Sequence, residues 1–423
     1  MKKYFFDIEK KHILTIATMN LIELNETSSL IIKELLKNKT EKEVTQLIYS
    51  SLDKEYQISS IYNEIQNDID ILIKDLLTKG IDVSKPELFN IIESDNKFKS
   101  VPDLPIVHII KNCNSLCTIC DCWKDNNNNY HPYEILRDIF QELIDKGMST
   151  IMISGGEPLL HPQLEEIIDF LKNQKIEIQL NTNGMLLNKI SWLTKKNIEH
   201  IIISIDGTDS DSYKKIRGVD FFTKIFSEIK EFKKISPQTK IGIRTIFSKY
   251  FLKNYKEFIS ICKNSKIDSI DFSPLDISSS SFSRTDNNSD NINELKSLLP
   301  TLDELQDYIS SFTNKDAEIY KYFIKEFNND YLGWEPKKII ECLNFYKNEL
   351  SNPDDYQLGE DICLFPYTSL LIDYDGSIKN CFYSNPIGNI YDKKNIDWDT
   401  SSAIEELKAN NICSKCRGKI FST

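Results

Sequence analysis

Three cysteines, Cys113, Cys117 and Cys120, lie in the stretch Lys111-Asn112-Cys113-Asn114-Ser115-Leu116-Cys117-Thr118-Ile119-Cys120, with three and then two residues between them. A cubane of four irons prefers four thiolates, so a loop that offers three leaves one iron open to an outside ligand. That arrangement suits catalysis better than plain electron storage. A zinc site or scattered buried cysteines are the competing readings, although zinc more often takes matched pairs with short gaps. Farther along comes Gly155-Gly156-Glu157-Pro158. Its two glycines let backbone approach a ligand closely, and its carboxylate can meet an ammonium; a simple strand-to-helix turn competes. Cys363, Cys381, Cys413 and Cys416 offer four more thiolates. A hairpin turn at Asp375-Gly376 would bring the first two near each other, and the Cys413–Cys416 pair completes a closed four-thiolate site for a cluster or for structural zinc.

The elements that must position these groups fall into regions. Residues 84–275 alternate β-prone runs, at Ile106–Lys111, Thr150–Ser154, Ile176–Asn181, His200–Ile205, Lys240–Phe247 and Ser269–Phe272, with amphipathic stretches such as Tyr133–Lys146 and Phe222–Ile235. Such repetition predicts an α/β fold with a parallel sheet and right-handed crossovers. The chemistry of parallel barrels sits at the carboxyl ends of strands, where Asn181-Thr182-Asn183-Gly184 and Ser204-Ile205-Asp206-Gly207 both fall. Asn181 and Asp206 can equally serve turns. Arg244, on the fifth run, suits either a ligand carboxylate or a structural ion pair. Residues 1–83 form a separate small domain: short runs at Tyr4–Ile8, His12–Thr18 and Leu21–Leu24, then three helices. Thr40 with Glu43 fits a capping box, and the third helix carries Ile61, Ile65, Ile69, Leu72, Leu76 and Leu77 before stopping at Lys79-Gly80. Three strands followed by three helices is the winged-helix order. Residues 276–354 read as a Ser- and Asn-rich loop and a helical bridge, and 355–423 as a small cysteine-bearing domain of hairpin and helix.

The Cys113–Cys120 spacing resembles the signature of the radical S-adenosylmethionine superfamily, down to the apolar Ile119 before the last cysteine. The resemblance implies a partial (β/α)6 TIM barrel and a catalytic 4Fe-4S cluster on Cys113, Cys117 and Cys120. Its open iron chelates S-adenosylmethionine, and one electron then releases a 5'-deoxyadenosyl radical. It further implies that Gly155, Gly156 and Glu157 meet the methionine amine, that Asn181, Ser204 and Asp206 meet the ribose and carboxylate, that Arg244 pairs with the carboxylate, and that Trp123 packs on the adenine. Cys122 stands where an aliphatic residue is commoner and reads as a small buried side chain. Residues 355–418 resemble the auxiliary-cluster domains of the superfamily, in the shortened "twitch" form of the SPASM layout, implying one auxiliary 4Fe-4S cluster on Cys363, Cys381, Cys413 and Cys416. Cys262 and Cys342 are unassigned and expected to be buried, or hydrogen-atom donors if exposed at the barrel mouth.

Residues 1–83, from Leu21-Ile22-Glu23-Leu24-Asn25-Glu26-Thr27 through Thr40-Glu41-Lys42-Glu43-Val44 to Leu76-Leu77-Thr78-Lys79-Gly80, resemble the precursor-peptide recognition element of ribosomal peptide natural-product pathways. That resemblance implies a leader peptide added as a strand beside Leu21–Leu24. The expected activity is modification of the precursor's core, with thioether formation ahead of carbon–carbon cross-linking or epimerisation, and with flavodoxin or ferredoxin as the external reductant. A small-molecule dehydrogenase and a DNA-binding redox sensor are the alternatives.

Charge argues against the sensor. The 423 residues carry a net charge of -12, with Glu64, Asp68, Asp70 and Asp75 on the third helix, which would repel phosphate. A 40% hydrophobic content builds ordinary cores, no run of eighteen apolar residues appears, and the N-terminus lacks a signal-peptide pattern. No nucleic acid, no membrane and a cytoplasmic setting are the expectations, and ten cysteines in that compartment argue for metal or redox chemistry rather than disulfides.

Overall fold

The computed structural model describes residues 4–7, 12–15, 21–92, 104–124, 129–188, 190, 192–275, 289–311, 369–392 and 396. The chain divides into two compact units, one built on residues 1–96 and the other on most of the remainder.

In the first unit, β1 (Tyr4–Asp7), β2 (His12–Thr15) and β3 (Leu21–Glu23) form an antiparallel meander, followed by α1 (Glu26–Leu36), α2 (Glu41–Ser51) and α3 (Ser59–Thr78). Asn25 caps α1 by accepting from Ser28 N at 2.7 Å, and Thr40 and Glu43 form the expected capping box on α2. At the end of α3, Gly80 takes a φ of +78°, and Ile81 N donates to Leu76 O, which closes the helix in the left-handed manner glycine favours. Ile69 and Leu76 are buried against Phe6, Ile13, Ile32 and Val44, whereas Leu77, one residue off the apolar stripe, is 49% exposed. A fourth strand, β4 (Phe89–Ile92), pairs parallel to β1, so this unit runs past the boundary at 83 read from sequence. The sheet order is β3-β2-β1-β4, which leaves β3 at an edge among the described residues.

The second unit is α/β. Its parallel strands are β5 (Leu104–His108), β6 (Thr150–Ser154), β7 (Glu177–Thr182), β8 (His200–Ser204), β9 (Lys240–Phe247) and β10 (Ser269–Pro274), in that spatial order. Helices α4 (Tyr133–Asp145), α5 (Leu164–Asn173), α6 (Ser210–Arg217), α7 (Phe222–Ile235) and α8 (Lys249–Asn264) connect them. Between β7 and β8 the described residues form only a short 3-10 turn, Leu193–Lys195, so one of the expected crossover helices is replaced. Near-continuous isoleucine and leucine along these strands reflects burial on both faces, with Ile151, Ile153, Ile178, Leu180, Ile201, Ile203, Ile241 and Ile243 inaccessible. Helices α9 (Ser289–Lys296) and α10 (Leu302–Ser311) follow.

The sheet does not stop at β5. Strand β11 (Ser369–Ile372) pairs parallel to its free edge, and β12 (Ser377–Lys379) and β13 (Gly388–Asn389) continue antiparallel. The turn at Asp375-Gly376 is the predicted one, with Gly376 at φ +81°. The expected hairpin is therefore a direct extension of the barrel sheet. No helix among the described residues is long and apolar enough to cross a membrane.

Candidate active site

The three cysteines occupy the loop that leaves β5, and the neighbouring strand ends hold that loop in place. Leu116 N donates to Arg217 O at 3.1 Å and Thr118 N to Ile216 O at 2.9 Å, so the loop lies along the last turn of α6. Gly218, which ends that helix at φ +72°, must be glycine, because a Cβ there would stand 2.2 Å from Leu116 O. The glycine pair after β6 plays the same part on the other side. A Cβ on Gly155 would sit 2.4 Å from Ile110 O, and one on Gly156 would sit 2.1 Å from Lys111 O. The close approach these glycines permit is to the backbone that leads into the cysteine loop.

Each sulfur receives an N–H. Ser115 N donates to Cys113 Sγ at 3.4 Å, Arg217 Nη1 to Cys117 Sγ at 3.2 Å, and Cys122 N to Cys120 Sγ at 3.5 Å. Ser115 Oγ lies 3.2 Å from Cys117 Sγ while donating to Arg217 O. Burial, reinforced by nearby Glu157 and Cys117, pushes the Cys113 thiol up to about 12. Contact with Cys122, together with burial, raises Cys120 well above the usual thiol range. Such thiols surrender their protons to a metal rather than to water. A cubane ties each cysteine to a different iron, so its thiolates stand apart, and a loop of three N–H-bonded sulfurs fits that group.

Glu157 is turned inward. The carboxylate is fully buried, accepting from Thr182 Oγ1 at 2.7 Å, Asn183 N at 2.7 Å and Leu159 N at 3.0 Å. Burial raises its pKa against those three bonds. As placed, it ties the end of β7 to the glycine turn, with its oxygens already engaged. Asp206 is likewise turned inward, accepting from Ile246 N at 2.9 Å and facing Arg217 Nε at 3.4 Å. Burial pushes this carboxyl up, with Arg217 opposing. Arg244 Nε donates to Asp271 Oδ2 at 2.7 Å across the β9–β10 register, the ion pair that competed with a ligand role in the sequence. Trp123 Nε1 donates to Cys117 O at 3.1 Å, which fixes the indole beside the loop.

One polar group at the strand ends is left without a protein partner. Asn181 Nδ2 donates to Ser154 Oγ at 3.2 Å, while its Oδ1 is buried without a hydrogen-bond partner, a vacancy that a ligand hydroxyl would fill. Ser204 ends the neighbouring strand β8, its carbonyl accepting from Arg217 Nη2 at 2.7 Å.

Cys122 is buried, as expected, yet its Sγ meets Tyr374 Oη at 3.2 Å, a residue from the strand extension. Tyr374 stacks on His108, with ring centroids 4.5 Å apart, and His108 pairs with Asp373. Burial would raise the Asp373 carboxyl, but His108 and Lys379 outweigh it and hold it below the ordinary range. Cys262 is fully buried on α8 within the core, so it has no exposure from which to donate hydrogen. Of the second cysteine set only Cys381 is described: it lies two residues past β12, and its N–H donates to Ser384 Oγ. Cys342, Cys363, Cys413 and Cys416 lie outside the described residues.

The sequence motifs do not single out Arg217 as a site residue. Its contact with Cys117 joins residues a hundred positions apart, which no local pattern signals.

Comparison with known proteins agrees with this geometry. Residues 107–273 match the model of the Radical SAM superfamily. A probable GTP 3',8-cyclase of Methanocaldococcus jannaschii is 24% identical over 65% of this chain and 83% of its own length. The GTP 3',8-cyclase of Helicobacter pylori is 31% identical over 36% of this chain and 50% of its own length, so the chain spans about half of that relative. Among solved structures, Streptococcus suis SuiB bound to its precursor peptide SuiA superposes with a TM-score of 0.54 at 15% identity, covering 96% of this chain and 89% of that one. SuiB bound to S-adenosylmethionine gives 0.55 at 16% identity, covering 96% and 88%. Residues 107–273 are thus a radical SAM domain, and the chain that carries them is an enzyme whose cofactors are S-adenosylmethionine and a 4Fe-4S cluster.

Proposed function

We propose that this protein is a peptide maturase. It binds the leader of a ribosomally synthesised precursor peptide at its first unit and modifies the core of that peptide, forming a thioether between a cysteine sulfur and a carbon of another residue. When bound, the cluster and S-adenosylmethionine supply a 5'-deoxyadenosyl radical that takes a hydrogen atom from carbon. Cys113, Cys117 and Cys120 hold the cluster in this reading, and Asn181 and Ser204 orient the cofactor. Cys363, Cys381, Cys413 and Cys416 hold an auxiliary 4Fe-4S cluster. A one-electron reductant such as flavodoxin or ferredoxin supplies the initiating electron.

The observation that carries the reading is the edge strand β3. Among the described residues it pairs with β2 alone, so the other side of Leu21–Glu23 offers backbone groups to an extended peptide. The sheet below it is anchored by the buried Ile13 and Phe6, so adding a strand need not disturb the core. Leader binding would raise the effective concentration of the core without tight contact at the reacting residue. The likeness to SuiB, which extends over 96% of this chain, supports the reading.

The test is co-expression with short open reading frames encoded beside the gene, followed by mass spectrometry of the peptides. Loss of two hydrogens, with the cysteine no longer alkylatable, is the expected result. An unchanged mass with altered retention would point to epimerisation, and two lost hydrogens with a free thiol would point to carbon–carbon cross-linking. The similarity to GTP 3',8-cyclases favours a second reading, a small-molecule radical enzyme. Conversion of GTP by the reconstituted chain, with no peptide modified, would establish that reading instead.

A further inference from the structure

We propose that Arg217, with Asp206 behind it, is a positioning residue that sets the reduction potential of the catalytic cluster; this rests on Cys113, Cys117 and Cys120 being the cluster's ligands. The guanidinium is buried at 8% residue exposure: Nη1 donates to Cys117 Sγ at 3.2 Å and Nη2 to Ser204 O at 2.7 Å, while Nε faces Asp206 Oδ2 at 3.4 Å as an ion pair without a hydrogen bond. Its own carbonyl accepts from Leu116 N and Ser115 Oγ, so side chain and backbone grip the same loop from both sides. The planar fork of arginine makes this three-way arrangement possible, and a lysine would reproduce the charge without the geometry.

The physical consequence follows from charge. Reduction adds one electron, taken from an external one-electron donor, to a cluster held by Cys117, and no bond is made or broken in that step. A cation shielded from water beside the sulfur lowers the cost of the added negative charge, and an N–H donated to the sulfur does the same. Asp206 partly offsets that cation. Arg217 therefore raises the potential, and Asp206 moderates the rise.

The experiment is a dithionite and titanium citrate titration of the anaerobically reconstituted full chain, followed by electron paramagnetic resonance. The signal read is the one that changes shape when S-adenosylmethionine is added. In Arg217→Gln the equilibrium constant for one-electron reduction should fall about tenfold or more, a shift of about 59 mV toward negative potential, and in Arg217→Lys, which keeps the charge but loses the fork, the shift should have the same sign and be smaller. In Asp206→Asn, whose amide oxygen can still accept from Ile246 N, the shift should be toward positive potential. Opposite signs are what a general loosening of the loop does not produce. Arginine variants with full iron and the wild-type potential would overturn the proposal, as would an Asp206→Asn potential unchanged or moved downward; the latter decides the matter if the arginine variants fail to load iron. Survival of the same signal in Cys113→Ala would instead overturn the ligand assignment.

Discussion

At the scale of single residues, the loop is held by what is missing as much as by what is present. Gly156 has an ordinary backbone conformation, so its requirement for glycine comes from space alone: Lys111 O and Asn112 O would lie 2.1 Å and 2.4 Å from an added Cβ. Both are backbone atoms of the segment entering the cysteine loop and cannot swing aside as a flexible side chain would. Gly156→Ala should therefore push residues 110–112 away, costing about 3 kcal/mol in overpacking. It should also lower the iron retained by the Cys113–Cys120 loop, as read by iron analysis and by the signal sensitive to S-adenosylmethionine. A variant with wild-type iron and stability would show that the contact relaxes freely. Glu157 makes a related point. Its type and place after a strand are legible in the sequence, but the direction of its carboxylate is not, because Thr182 and Asn183 become its partners only once β6 and β7 are side by side.

Elements show the same division between local and distant causes. The six parallel strands are legible because double-sided burial demands runs of isoleucine and leucine, and the Thr40–Glu43 and Lys79–Gly80 helix ends are legible because capping chemistry is local. Strand β4 has only Phe89–Ile92 to announce it and pairs with residues more than eighty positions away, and β11 reaches across the chain to β5. Periodicity carries no information about such partners. The join between β11 and the barrel is reinforced by polar contacts: His131 bonds Tyr391 Oη at 2.7 Å and Asp373 O at 2.9 Å, and His161 Nε2 meets His131 O at 3.0 Å. Burial lowers the pKa of His161 to about 4, from an ordinary 6.5. The unfolded chain takes up this proton below about pH 6.5 while the folded chain refuses it until about pH 4, so stability falls as the pH drops through that window. The contribution is about 3 kcal/mol at full extent. His161→Gln should flatten the slope of unfolding free energy against pH between those limits, measured by anaerobic denaturant titration. A slope unchanged by the substitution would assign the pH dependence to other groups.

For the molecule as a whole, the division of labour between cysteine sets becomes an iron ledger. Cys113, Cys117 and Cys120 leave β5, and Cys381 follows β12, two strands away in the same sheet. The sheet is held by backbone pairing and by the buried Leu370, Leu371, Ile372 and Ile378, none of which depends on metal. Removing a thiolate from the second set should therefore empty that site without unfolding the barrel, unlike small domains whose folding is metal binding itself. The reconstituted chain should hold about eight irons, two cubanes, and Cys381→Ser or Cys413→Ser should reduce this to about four. Such variants should keep the signal that responds to S-adenosylmethionine. Cys117→Ala should show the converse, about four irons remaining and no response to the cofactor. Zinc in place of iron at the second set would make that region a structural staple. It would remove the auxiliary cluster from the proposed mechanism and leave the thioether's surplus electron to be returned through the first cluster alone.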